Sequence, residues 1–455
     1  MDQRFSVENF RRLWDLRTRR GEDLTNFFPK FAEAAQDLKN LSRSTKYQID
    51  QFPLGSKERE AEHKRLKNLR NEKSNLKENT LNEALKEVCV KIDSKINNSD
   101  FSLSLERGSI ILGKQTYRIR INEPENYFIA RQIEENLKNS FSLVLPNRQN
   151  LAEQVLLSLD DKTKKLIVRT DLRKFYESIP HEELIGLLHN SPSLSRTSCR
   201  FIDSLLEEYR NLSGTQKGIP RGLGISSMLA EVYLSQLDNT LKRHEGLRLY
   251  VRYVDDIVMV FNSGHHHRPK EERQAKIRSD IRNLNLSMNA SKTRYIETSK
   301  LGGDIKKFSF LGYEYSLSEN NAKVDISNSR VARYRRRLDL SFSSFNSNPG
   351  SGSAISTLHD RIKFLTSNTR LSNNKRHALT GVYFSNSLLS ETSNKINSLD
   401  ATYQKMLEKN SIPPEWLERM RSLSFANGFE SKTFHSFSGK KLSKIVKVWK
   451  YDEKS

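Results

Sequence analysis

Two adjacent carboxylates, Asp255 and Asp256, stand in Tyr253-Val254-Asp255-Asp256, between the apolar runs Leu249-Tyr250-Val251 and Ile257-Val258-Met259-Val260-Phe261. Hydrophobic β-formers on both sides of an acidic pair predict a hairpin whose turn carries the two acids at an exposed tip. Carboxylates are hard oxygen ligands, so such a tip suits a divalent cation. A third acid, Asp171, ends the β-rich run Leu166-Ile167-Val168-Arg169-Thr170-Asp171 and precedes Arg173-Lys174-Phe175-Tyr176-Glu177-Ser178-Ile179-Pro180. Pro180 fits the first turn of a helix through Glu182, Leu184 and Leu187, which places Asp171 where a strand gives way to a helix. Nucleotidyl transfer needs two divalent ions, one at the attacking 3′ hydroxyl and one at the triphosphate, and clustered carboxylates supply their ligands. Asp171 and Asp255 are the expected bridging pair, with Asp256 as a third ligand.

Between these acids lies Lys217-Gly218-Ile219-Pro220-Arg221-Gly222-Leu223-Gly224-Ile225-Ser226-Ser227-Met228-Leu229-Ala230, a glycine-rich turn opening an amphipathic helix that buries Leu229, Val232 and Leu237. Backbone without Cβ atoms allows a base pair to approach, and a helix start offers free N–H groups. The same pattern also fits a plain flexible loop before a core helix.

The order of these pieces resembles the palm of a reverse transcriptase: an acid followed by Phe175-Tyr176, then Gly218-Ile219-Pro220 with Gly222, then Tyr253-Val254-Asp255-Asp256. Downstream, Leu286-Ser287-Met288-Asn289-Ala290-Ser291-Lys292-Thr293 and Phe308-Ser309-Phe310-Leu311-Gly312-Tyr313 resemble the next two motifs, in family order. The resemblance implies an α+β right-hand polymerase with fingers, a palm built on an antiparallel sheet, and a thumb, flanked by helical extensions at both ends. It implies that Asp171, Asp255 and Asp256 bind two Mg²⁺ ions, for which Mn²⁺ can substitute, and that Lys292 protonates the leaving pyrophosphate. Tyr176, five positions after the first acid, takes the place of the aromatic gate that meets a ribose 2′ hydroxyl, so deoxynucleoside triphosphates are the expected substrates. Gly222 lines the nascent pair, while Phe310, Leu311 and Gly312 form the primer grip. Arg148, in Pro146-Asn147-Arg148-Gln149, resembles the fingers arginine that contacts the triphosphate, and Arg131 is a second candidate.

The motif normally reading Pro-Gln-Gly is Pro220-Arg221-Gly222 here. This form is similar to the abortive-infection and unknown-group reverse transcriptases of bacteria, which implies a role in antiphage defence. It also implies that Arg221 adds a fixed charge near the nucleotide, able to hold a phosphate or a template base. Template-independent or protein-primed synthesis by the same family is one alternative, and a catalytically silent RNA-binding scaffold is another. The retron thumb signature Val-Thr-Gly is absent from the expected region, and two cysteines, Cys89 and Cys199, cannot build the zinc nuclease of intron enzymes.

Positioning these residues takes several units. Residues 1–100 are expected to form a helical basic extension, 101–164 the fingers, 165–320 the palm, 321–345 a basic thumb segment and 346–455 a helical C-terminal domain. Arg11, Arg12, Arg17, Arg19 and Arg20 crowd the extension, and 56–91 alternates charge with Leu66, Leu69, Leu76, Leu81 and Leu85. Such a helix is either a solvated face or an arm for RNA or self-association. Arg330, Arg333, Arg335, Arg336 and Arg337 stand where a thumb helix would follow a phosphate backbone. Ser341 to Ser356 is expected to be a flexible linker, and 358–425 several helices. His265-His266-His267 falls in a loop between Gly264 and Pro269 and is not expected to bind metal.

Composition agrees with a nucleic-acid partner. The chain holds 77 basic against 55 acidic residues, a net charge of +22, with an isoelectric point near 9.8. That surplus attracts phosphates and releases counterions. The expected partners are an RNA template or companion non-coding RNA, its DNA product and deoxynucleoside triphosphates. A homo-oligomer or a defence-system protein partner is compatible with the same charge. No apolar run approaches the ~18 residues of a membrane span, and the N-terminus lacks a signal-peptide layout, so a cytoplasmic location is expected.

Overall fold

The computed structural model describes residues 2–120, 123–144, 146–161, 163–262, 269–298, 305–318, 322–371 and 378–452; Gly264, His265–His267 and the expected palm boundary at 320 lie outside them. The architecture is α+β. At its centre an antiparallel sheet is ordered Leu247–Tyr253, Asp256–Asn262, Lys165–Asp171, Arg294–Glu297.

Strand alternation sorts this sheet's side chains between two cores. Leu166, Val168, Ile257, Met259 and Phe261 face one core, shared with Phe128, Phe201 and Leu229 of three helices, Pro124–Ser140, Arg196–Ser213 and Gly224–Leu241. Ile167, Val251, Val258 and Val260 face the other, shared with Tyr315, Leu338, Phe342, Ile362 and Tyr403. With both faces covered, a one-residue slip would exchange every one of these contacts, so the register is tightly specified.

The N-terminal extension is helical: Val7–Arg19, Pro29–Asp50 and the 41-residue Lys57–Asn97. Ser6 and Ser56 cap the first and last of these by accepting from Asn9 and Arg59 N–H groups. Leu81, Leu85, Val88 and Ile92 anchor the end of the long helix in the first core, while Leu76 is exposed. A fingers hairpin follows, Leu105–Ile111 with Lys114–Ile119, turned through Leu112 and Gly113, both with positive φ. Such a two-residue turn matches the twist of its strands.

On the opposite side, Lys306–Phe310, Tyr313–Leu317 and Ala322–Ile326 make a three-stranded sheet, and Ser327 caps the helix Asn328–Asn346. This helix runs through the first part of the expected linker, because Phe342 and Phe345 are buried and the Ser341 hydroxyl bonds back to the Arg337 carbonyl at 2.6 Å. The break is confined to 347–351, after which Gly352–Thr366 begins. The C-terminal region is not wholly helical: Asn368–Arg370 pairs with Leu379–Gly381, and Tyr383 and Leu388 fall in turns. Helices Asn394–Lys409, Pro414–Arg421, Phe425–Glu430 and Gly439–Asp452 complete it. Among the described residues no helix is long and apolar enough to cross a membrane.

Arg252 ties the central sheet to its covering helix. Only 8% of its side chain is exposed, and it bonds Asp238 at 2.7 Å and Glu231 at 2.8 Å on helix Gly224–Leu241, and the Val254 carbonyl at 3.1 Å. Burial opposes the guanidinium charge, and the two carboxylates more than offset this. Arg252→Met leaves both acids without their partner and is expected to destabilise the fold by about 3–5 kcal/mol. A urea midpoint equal to that of the parent protein would contradict this.

Candidate active site

Asp171 is the last residue of its strand and pairs in register with Asp256, while Tyr253 pairs with Asp256 from the other side. The hairpin turn is therefore Val254-Asp255, and Asp256 already belongs to the second strand. Val254 sits at φ +57°, a left-handed conformation that costs a β-branched residue roughly 1–3 kcal/mol. Two bonds hold it there: Arg252 to the Val254 carbonyl at 3.1 Å, and Leu172 N–H to the Asp255 carbonyl at 3.0 Å. The tip is thus half-buried rather than exposed, because it docks on the segment that follows Asp171.

Three desolvated acids result. Asp171 is buried, and its Oδ2 accepts from Lys292 Nζ at 2.9 Å and from Asn289 Nδ2 at 3.2 Å. The Asn289 N–H also bonds the Asp171 carbonyl at 2.7 Å. Burial, then the neighbouring Asp171 charge, raises the Asp255 pKa. Asp256 is pushed up to about 6, mainly by burial and further by Asp171 and Asp255, against the pull of Arg169. Arg169 Nη2 lies 2.9 Å from Asp256 Oδ1, yet without hydrogen-bond alignment, so that buried oxygen keeps an unused lone pair.

Among the described residues no group of three or more His, Cys, Asp or Glu side chains forms a ready metal cage. The donor set nevertheless fits hard divalent ions: the Asp171 charge raises the proton affinity of both Asp255 and Asp256, and Asp256 has an orphaned oxygen. Mg²⁺ in particular uses one or two carboxylates and completes its shell with water and substrate phosphates, so no closed cage is required.

Tyr176 lies in the short helix Phe175–Ser178, entered through Lys174 at φ +46°. Pro180 is the N-cap of a separate helix, His181–His189, rather than part of its first turn. The Tyr176 ring stands under the Arg221 guanidinium at 4.7 Å, and Arg221 is already paired in two parallel bonds, 2.9 and 3.0 Å, with Glu177. Gly222 packs against the fingers hairpin: it has φ +98°, and a Cβ there would lie 2.9 Å from the Tyr117 carbonyl. The Tyr117 N–H donates to the Arg221 carbonyl at 2.7 Å, so loop and hairpin are joined at the residue before this glycine.

Of the two fingers arginines, Arg131 is taken up by Glu134 at 2.8 Å and by the Tyr127 ring at 5.1 Å. Arg148 instead stacks on Tyr253 at 5.2 Å and opens into a cavity of about 390 Å³ that Arg330, Arg333 and Arg337 also line. Within that group Arg330 serves the fold, bonding the Leu311 and Ser385 carbonyls at 3.0 and 2.7 Å and covering Tyr313. Arg333 is exposed. Arg337 covers Trp449 at 5.2 Å and Arg335 reaches Ser398, while Arg336 is exposed. The five arginines therefore do not form one track. Phe310 and Leu311 are buried, and Gly312, at φ +84°, admits the Arg330 guanidinium where a Cβ would collide with it.

Three neighbours of the acids escaped the sequence reading. Arg169 and Asn289 flank residues already singled out, at two positions before Asp171 and three before Lys292. Strand alternation puts Arg169 and Asp171 on one face, which was the available signal for the first. Lys114, just after the hairpin turn, favours the charged form of both Asp255 and Glu177. Only the hairpin's fold-back brings it near.

Paired acids on a central antiparallel sheet, faced by a glycine-rich loop and a basic hairpin, define a polymerase-type palm. Residues 109–315 match the family model described as reverse transcriptase (RNA-dependent DNA polymerase). The chain thus carries a reverse transcriptase domain over these residues. Its sequence matches no curated protein. Among solved structures it is similar to apo telomerase from Candida tropicalis, at 13% identity and a TM-score of 0.37, covering 72% of this chain and 53% of that one. It is also similar to telomerase from Candida albicans in complex with a TWJ fragment of telomeric RNA, at 13% identity and 0.31, covering 70% and 53%. Against apo Candida tropicalis telomerase truncated from the C-terminal domain the values are 13% and 0.35, covering 50% and 55%, so the chain spans about half the length of these structures.

The Gly222 contact yields a direct test. Gly222→Ala forces both a strained φ and a clash with backbone, and is expected to cost about 1–3 kcal/mol. Hydrogen exchange should show residues 105–119 losing protection; unchanged protection would contradict the contact.

Proposed function

We propose that the protein is an RNA-directed DNA polymerase that adds deoxynucleotides to a 3′ end with two Mg²⁺ ions, Mn²⁺ being able to replace them. The observation that carries this reading is the register pairing of Asp171 with Asp256, next to the turn residue Asp255, inside a domain of this family. When bound, the ions lower the pKa of the attacking hydroxyl and offset charge on the phosphates. Asp171 and Asp255 would hold them, and Asp256 would add its free oxygen.

The remaining work falls to the chain's own side chains. Lys114 draws the triphosphate towards Asp255, and Arg148 is available to a phosphate at the cavity it lines. Tyr176 presents its ring to the sugar and excludes a 2′ hydroxyl. Lys292 now gives its hydrogen bond to Asp171 and turns from it to protonate the leaving pyrophosphate. The exposed Arg333, with the net charge of +22, supports binding of an RNA template or companion RNA and of the DNA product.

A role in bacterial antiphage defence, in the cytoplasm and with an oligomeric or protein partner, is part of this proposal. It is supported by the Pro220-Arg221-Gly222 variant and its likeness to abortive-infection enzymes. Template-independent synthesis is favoured by one observation: Arg221 is committed to Glu177 and is not free for a template base. Sequencing the product made with and without co-purified RNA separates the two, since templated DNA must mirror an RNA.

Asp255→Ala combined with Asp256→Ala should lower incorporation of labelled deoxynucleotide by at least about 10³-fold, because most charge stabilisation in the transition state is removed. Circular dichroism should remain that of the parent. Undiminished incorporation by the folded variant would refute the assignment.

A further inference from the structure

We propose that Arg221 and Glu177 are positioning residues that set sugar selectivity by immobilising the Tyr176 ring. The inference rests on the reading of Tyr176 as the group that meets the nucleotide's 2′ position. Three side chains hold this partly exposed ring. The Arg221 guanidinium lies 4.7 Å above it, Phe175 meets it edge-on at 5.6 Å, and Ser227 Oγ is 3.4 Å from its hydroxyl. Its backbone is fastened as well, since the Tyr176 carbonyl accepts from Ile219 N–H at 2.9 Å.

The guanidinium can serve as a fixed plate only because Glu177 holds it. Two parallel bonds, Nε to Oε1 at 2.9 Å and Nη2 to Oε2 at 3.0 Å, stop its rotation, and a planar fork is the one cation geometry that can both pair and stack in this way. Glu177 is itself the residue after Tyr176, so the clamp closes on the short helix that carries the ring. Side-chain exposures of 24% for Arg221 and 41% for Glu177 show that the pair is not a core element. Its loss should therefore move the ring before it harms the fold. A direct anion-binding role for Arg221 is disfavoured by the same geometry, because an incoming phosphate would have to displace Glu177 and then face its freed charge.

Steric selection needs a wall that does not yield, since an aromatic ring free to tilt makes room for one extra hydroxyl. The test uses the full chain with its co-purified nucleic acid, and compares kcat/KM for dGTP and GTP. Tyr176→Ala should lower the deoxy-to-ribo ratio by about 100-fold, and Arg221→Gln by about ten-fold, a fraction of what a 1 Å misplacement costs. Arg221→Lys should behave like Arg221→Gln, because an ammonium keeps the charge and loses the fork. Glu177→Gln should lower the ratio too, and combining it with Arg221→Gln should add little, as expected of one coupled unit.

The proposal is overturned if Tyr176→Ala changes the ratio and Arg221→Gln does not. It is equally overturned if Arg221→Gln slows both sugars alike, which marks a merely structural role. If Tyr176→Ala leaves the ratio unchanged, the reading of Tyr176 as the gate fails as well.

Discussion

The pairing of Asp171 with Asp256 across two antiparallel strands is the constraint on which the site depends. It brings two carboxylates from distant parts of the chain to one level of the sheet, and the two-residue turn adds Asp255 beside them. Like charges held in a desolvated place repel, which is visible in the raised proton affinity of Asp255 and Asp256. The fold tolerates this because cations stand close by: Lys292 on Asp171, Arg169 near Asp256 and Lys114 within reach of Asp255. Such an arrangement favours a ligand of concentrated positive charge.

The rest of the molecule holds that arrangement in place. Two cores grip the sheet from opposite faces and remove any freedom of register. Arg252, buried between Glu231 and Asp238, fixes the covering helix and reaches the strained Val254 turn. On the other side the loop before that helix is joined to the fingers hairpin at Tyr117 and to the Tyr176 segment at Ile219. Hairpin, loop and helix Phe175–Ser178 are therefore linked to one another by backbone hydrogen bonds. The Arg221–Glu177 pair is the charged fastening among them.

Much of this was legible in the sequence, for physical reasons that differ by element. The strands at Leu166 and Ile257 declare themselves by short apolar β-rich runs, the first ending in an acid and the second beginning after two, and the helix after Gly224 by its apolar spacing. Local patterns cannot report partners that arrive by folding back. Thus Arg221 reads as a free charge until Glu177 is seen beside it, and Arg330 reads as a phosphate ligand although it also bonds the carbonyls of Leu311 and Ser385. The serine-rich stretch after Ser341 reads as a linker because serine is common in loops. Buried Phe342 and Phe345 outweigh that tendency and carry the helix to Asn346. Lys114 gave no local signal, since its relevance comes only from the hairpin's approach to Asp255.

The most direct test of the central claim is anomalous diffraction from crystals soaked in Mn²⁺ with a non-hydrolysable deoxynucleoside triphosphate. Manganese peaks in contact with Asp171 and Asp255, vanishing in Asp171→Asn, are predicted. Fully formed crystals showing nucleotide but no manganese at these aspartates would contradict the account.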